Sequence, residues 1–239
     1  MNECVRIFDL LRSGAKINII GDSIAAGMGC SGGRPTDETL LVYEDDRYTR
    51  WDAPNAWWVT LKNYLQDKFP ACQLVNHGCS GIYSYQLTAG LEQVISGDED
   101  IVLILVGAND RKRPNGRQEL ESGLCSLIDT FRARNAVPVL ISPNPSTAQN
   151  EMQLSRLCHI EDIVNVIHYV ALKKDVIYAD CFHAVMAYMH QHDVSIEALM
   201  IQEGCMSDGL HPTNRVQGIM ASCVLHTLGL AEKIPSAQW

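Results

Sequence analysis

A chain of 239 residues with 46 % hydrophobic content can bury one sizeable core, which excludes disordered, collagenous and disulfide-scaffold classes. Its 28 Asp and Glu against 19 Lys and Arg leave a formal charge of −9, a poor electrostatic match for a phosphate backbone or an anionic membrane, so neither nucleic acid nor membrane is an expected partner. Nine scattered cysteines without a C-x-x-C pair fit a reducing compartment, and an acid at Glu3 before a short apolar stretch does not read as a signal segment, so the expected location is cytoplasmic.

In chain order, an apolar, β-branched run at 16–20 predicts a first strand. It closes on the turn Gly21-Asp22-Ser23-Ile24, after which Ala25 and Ala26 suit the opening of a helix. Residues 30–51 are rich in Gly and charge and keep no sustained period, so they predict a loop or lid, an insertion within a single domain spanning 1–239. Trp57, Leu61, Tyr64 and Leu65 trace a helical stripe behind an Asp52 cap. A strand at 73–76, a helix through Leu87, Leu91, Val94 and Ile95, and a strand at 101–106 follow. The next helix carries Leu120, Leu124, Leu127, Ile128 and Phe131 on one face. Strands at 137–141 and 176–179 flank a helix through Leu157, Ile160, Val164, Ile167 and Ala171, and a last helix after Pro212 carries Val216, Met220 and Val224. Parallel neighbours need crossover connections, so the alternation predicts an α/β class: a three-layer α/β/α sandwich with a five-stranded parallel sheet. Chemistry is then expected at the carboxyl ends of the strands.

Polar groups gather at those ends. Ser23 stands on the turn after the first strand, Asn76-His77-Gly78-Cys79-Ser80-Gly81 follows the second, and Gly107-Ala108-Asn109-Asp110 follows the third. Each alone reads as a turn, because Ser, Asn, Asp and Gly satisfy turn and cap geometry, and Asp22 reads as a turn and cap residue. Asp208 and His211 share the loop Asp208-Gly209-Leu210-His211-Pro212. That spacing lets the carboxylate take the imidazole Nδ1–H and leaves Nε2 facing outward as a base. A serine hydroxyl is a weak nucleophile until such a base takes its proton.

Together and in this order, the four blocks resemble those of the SGNH hydrolase superfamily, the GDSL-type esterases and lipases, from Gly21 to Pro212. The resemblance implies a flavodoxin-like SGNH hydrolase fold and a serine esterase whose catalytic residues are Ser23, Asp208 and His211. Its oxyanion hole would consist of the N–H groups of Ser23 and Gly81 and the Asn109 amide. Gly78 is the other candidate donor in the second block, and spacing after Asn76 favours Gly81. Ile24 stands where many members have Leu. The implied mechanism uses no metal and no cofactor, and its partner is a small-molecule ester, preferably a carbohydrate O-acetyl or short-chain acyl ester. An acyl-CoA thioester or a lysophospholipid is the alternative at the same site. In the 30–51 stretch Tyr43, Tyr48 and Trp51 are candidates for substrate binding. Arg111-Lys112-Arg113 either meets an anionic substrate or forms a solvated loop, the blander of the two.

Other readings fit less well. Gly27-Met28-Gly29-Cys30-Ser31-Gly32 matches G-x-G-x-x-G, yet a dinucleotide fingerprint starts directly at the end of the first strand, where Gly21-Asp22-Ser23 stands. An α/β-hydrolase proper carries its serine in G-x-S-x-G, after several strands. His183, His190 and His192 lack any HExxH-type pattern for a metal. A non-catalytic glycan-binding module has no use for a base held by a carboxylate.

Overall fold

The computed structural model describes residues 3–231, so both ends of the domain expected over 1–239 lie outside the described residues. Helix α1 (Glu3–Ser13) leads into β1 (Lys16–Gly21), and a hairpin of β2 (Arg34–Tyr43) and β3 (Asp46–Asp52) follows. Then come α2 (Trp57–Lys68), β4 (Gln73–Gly78), α3 (Ser84–Ala89), β5 (Ile101–Leu105), α4 (Gly116–Ala133) and β6 (Val137–Ile141). The chain continues through α5 (Ala148–Glu151), α6 (Ile160–Lys174), β7 (Ile177–Ala179), α7 (Cys181–His192), α8 (Ile196–Leu199) and α9 (Asn214–Thr227).

Five strands pair in parallel in the order β4-β1-β5-β6-β7. Counted within the sheet this is 2-1-3-4-5, the flavodoxin-like order, and its winding reverses between β1 and β5. The apolar runs are continuous because each central strand is covered on both faces. Ile101, Leu103 and Leu105 join a core with Leu61 of α2, Val185 of α7 and Met220 of α9. Their neighbours Val102 and Ile104 join a second core with Leu87 of α3, Leu124 of α4 and Ile167 of α6. Among the described residues no helix is long and apolar enough to cross a membrane.

Several local expectations are corrected. Residues 22–29 form successive turns, not a helix. The helix expected through Ile95 stops at Ala89, and a single tight 3₁₀ turn at Leu91–Gln93 follows. At the break, a Cβ on Gly90 would lie 2.7 Å from Leu41 Cδ1, so the approaching hairpin leaves no room for a larger residue there. Leu157 lies outside α6, because His159 caps that helix and its backbone N–H donates to Asp162 Oδ2 at 2.9 Å. Asp52 ends β3 and does not cap α2, whose first N–H, from Trp57, donates to Gln217 Oε1 at 3.0 Å.

The largest correction concerns 30–51. Most of this stretch is the antiparallel hairpin, turning through Glu44, whose φ is +52°. Register shifts between Pro35 and Thr39 and between Thr39 and Leu41 mark bulges, which erase the period-2 pattern by which a strand is recognised. Leu40, Leu41 and Tyr48 are buried in the second core. Tyr48 Oη donates to Gln86 Oε1 at 2.8 Å, and Gln93 pairs with the backbone of Val42 through both its amide atoms. The insertion is therefore built into the body of the protein.

Candidate active site

The turn after β1 is fixed by a buried carboxylate. Asp22 accepts the N–H of Ile24 on Oδ1 at 2.9 Å, and those of Gly107 and Ala108 on Oδ2 at 3.2 and 3.1 Å, binding the β1 turn to the β5 turn at the switch point. Burial pushes its carboxyl up while these N–H groups oppose the shift. Asp22 is thus a turn residue. Next to it Ser23 is only 4 % exposed, with its Oγ 2.9 Å from His211 Nε2, and His211 Nδ1 lies 2.5 Å from Asp208 Oδ2. A carboxylate only accepts, so Nδ1 carries the proton and Nε2 is left to accept from the serine. Partial burial pushes the Asp208 carboxyl up, but the hydrogen bond to His211, its charge and two backbone N–H groups outweigh this and hold it down to about 2. Gly29 lets the two segments meet: with φ +105°, a Cβ there would lie 2.6 Å from Pro212 O and 2.8 Å from His211 Cβ.

The loop bearing Asp208 and His211 is held from within and from beside. Asp208 Oδ1 accepts the N–H groups of Leu210 and His211, both at 2.9 Å. From the segment after β6, Asn144 Nδ2 donates to Leu210 O, Thr147 N to Gly209 O and Asn150 Nδ2 to Asp208 O. Asn150 Oδ1 in turn accepts from Arg111 Nη2 at 3.2 Å. Arg111 is 0 % exposed, donates to Ala108 O through Nε at 3.1 Å, and is paired with Glu151 Oε1 through Nη1 at 2.6 Å. It therefore belongs neither to a solvated loop nor to a substrate site, and it joins the loop carrying Asn109 to the loop carrying Asp208. Arg113 is paired with Glu119 and lies over the Tyr85 ring.

The loops after β4 and β5 carry the candidate donors. Asn109 Nδ2 donates to Ile82 O at 3.1 Å, which leaves its second amide hydrogen for another acceptor. Lys112 Nζ donates to Asn109 Oδ1 at 2.7 Å, and because an ammonium only donates, this contact fixes which way round the amide sits. The Gly78 N–H is taken by Asn76 Oδ1 at 2.7 Å. Gly81 has φ +89° with open space where a Cβ would be. Its backbone N–H and that of Ser23 have no acceptor among the described residues.

The aromatic candidates of 30–51 do not converge as a wall. Tyr48 is buried with its hydroxyl engaged, Tyr43 stands edge-on to Tyr85 at 5.8 Å between centroids, and Trp51 packs on the small cluster of Cys30, Ala53 and Ala56. His183 pairs with Asp180 at the start of α7 at 2.8 Å. Sequence reasoning missed Gln217, Asn150, Glu151 and the buried state of Arg111. Each also takes a partner more than 30 residues away, Trp57 for Gln217, Asp208 for Asn150 and Arg111 for Glu151, and no local pattern announces such a pairing.

A flavodoxin-like sheet with serine, imidazole and carboxylate hydrogen-bonded in series at its carboxyl edge defines a serine-hydrolase-like protein. The chain belongs to the GDSL-like Lipase/Acylhydrolase family, whose model matches residues 19–218, and it is a carboxylic ester hydrolase. The fold is similar to that of LAE5, an alpha/beta hydrolase enzyme from the metagenome of Lake Arreo, Spain, with TM-score 0.68, 22 % identity, and 91 % of this chain and 96 % of that one covered. It is also similar to Axe2, an acetylxylan esterase from Geobacillus stearothermophilus, with TM-score 0.67, 21 % identity, and 93 % of this chain and 97 % of that one covered. No curated protein matches the chain.

Proposed function

We propose that the protein hydrolyses small carboxylic esters, carbohydrate O-acetyl or short-chain acyl esters above all, through an acyl-enzyme on Ser23. The observation that carries this reading is the continuous path from Ser23 Oγ through His211 to Asp208, at 2.9 and 2.5 Å. Ser23 Oγ attacks the ester carbonyl carbon as His211 Nε2 takes its proton, and the carbonyl electron pair moves onto oxygen. The free N–H groups of Ser23 and Gly81, with the Asn109 amide, hold that oxyanion. Asp208 keeps the imidazole in register and stabilises its charged form. Collapse expels the alcohol, which takes the proton from His211, and water activated by the same imidazole then releases the acid and regenerates Ser23. The acetylxylan esterase among the neighbours in fold supports a short acyl group. An acyl-chain-length series of 4-nitrophenyl esters tests the reading: turnover should be highest for acetate and fall with length, and Ser23→Ala should abolish it. Undiminished turnover in Ser23→Ala, or a preference for long chains, would overturn it.

A further inference from the structure

We propose that Lys112 and Arg156 form an anion-recognising site beside the donors around Ser23, so that the preferred substrate is an ester carrying a carboxylate, phosphate or sulfate close to the scissile bond. This inference rests on the function proposed above and names its substrate class. The protein carries a formal charge of −9, and its other cations near the site are neutralised: Arg111 by Glu151 and Arg113 by Glu119. Lys112 has no carboxylate partner among the described residues, and its Nζ contacts the neutral Asn109 Oδ1. Asp22 acts on it electrostatically but has both oxygens committed to backbone N–H groups.

Arg156, which acts electrostatically on Lys112, is a further cation without a carboxylate partner among the described residues. Its Nε and Nη1 are shielded from solvent without any acceptor, and the side chain has no ion pair among the described residues. The segment carrying it is fastened to the loop carrying Lys112, because the N–H of the next residue, Leu157, donates to Arg111 O at 2.8 Å. Burial and the adjacent Arg156 and Arg111 charges push the Lys112 ammonium down, which agrees with cations crowded together and lacking an anion. Guanidinium donors left unsatisfied in a shielded place are costly to keep, and an anionic ligand group would satisfy them with charge-assisted hydrogen bonds. Lys112 reaches Asn109, so that group would sit within a few bonds of the reacting carbonyl.

Two matched ester pairs test the site. Mono-4-nitrophenyl succinate against its methyl ester places the charge on the acyl side, and 4-acetoxybenzoate against its methyl ester places it on the alcohol side. In at least one pair the anionic member should have kcat/KM higher by about tenfold or more, the range of a charge-assisted hydrogen bond. Arg156→Gln should bring that ratio toward one, Lys112→Met should do the same, and about 0.5 M salt should weaken it in the wild type. A wild-type enzyme that cleaves the neutral esters with both ratios at or below one overturns the anion site and leaves the esterase reading intact. A Lys112→Met variant that loses turnover equally on both members, with an unchanged ratio in Arg156→Gln, also overturns it, leaving Lys112 as a positioning residue for Asn109. A folded wild type that cleaves none of the four esters overturns both proposals.

Discussion

Gln217 Oε1 accepts the backbone N–H of Trp57 at 3.0 Å, joining α9 to the start of α2 across 160 positions of sequence. The same buried side chain donates through Nε2 to the carbonyls of Gly27, Met28 and Pro212. One amide therefore caps a helix and ties the stretch after Ser23 to the stretch after His211. Gln217→Ala should lower stability by about 1–3 kcal/mol through the polar groups it strands, and should lower kcat by loosening the Ser23–His211 spacing. Urea unfolding followed by circular dichroism, alongside turnover at saturating ester, checks both parts.

Asp208→Asn should leave the fold in place and reduce turnover by roughly ten-thousandfold, the scale seen when a triad imidazole loses its orienting carboxylate. A pH signature accompanies it. The folded carboxyl is held down to about 2 against an ordinary 3.8, so its stabilising effect is complete above the ordinary value and is lost as pH falls through about 2. Thermal midpoints of wild type and variant should differ most above about pH 5 and converge toward pH 2.

For Asn109→Ala the expected loss in kcat is about two to three orders of magnitude, because one oxyanion donor in a site of this kind is worth ~3–4 kcal/mol. KM should change far less. A rise in KM with kcat unaltered would assign Asn109 to substrate binding instead.

Arg111 contributes from a place that substrate never reaches. Arg111→Met leaves Glu151 without its buried partner and frees Asn150 from its hold on Asp208, so stability should fall by about 3–5 kcal/mol. Adding Glu151→Gln should recover part of that loss, which a double-mutant cycle in urea would read directly.

The hairpin should prove indispensable to folding. Leu41→Ala is expected to cost about 2–5 kcal/mol, and Tyr48→Phe about 1 kcal/mol for the hydrogen bond to Gln86. Replacement of residues 34–52 by a Gly-Ser bridge should abolish the cooperative thermal transition, since it strips Leu40, Leu41 and Tyr48 from the second core.

The sheet was legible because parallel strands covered on both faces write themselves as unbroken apolar runs, such as Ile101 to Leu105, and the blocks following them mark its carboxyl edge. Ser23, Asn109, Asp208 and His211 could be singled out because their short motifs, each of which alone reads as a turn or cap, occur together and in order at the strand ends. The hairpin escaped because its bulges destroy alternation at Thr39 and Leu41, and its Gly and charged residues resemble loop composition. Arg111 escaped for a different reason: a cation inside a run of three basic residues looks solvated until Glu151 and Asn150, some 40 positions away, are brought against it.

Ser23 and His211 are separated by 188 positions, so their hydrogen bond closes almost the whole described chain into one loop. A folding intermediate with β1, β4 and β5 paired would already display the serine, Gly81 and Asn109, but would have no base to use them. On the function proposed above, the onset of ester turnover during refolding therefore reports when the segment carrying His211 docks against the turn carrying Ser23, and a nascent chain should stay inert until the segment ahead of α9 has been synthesised and docked.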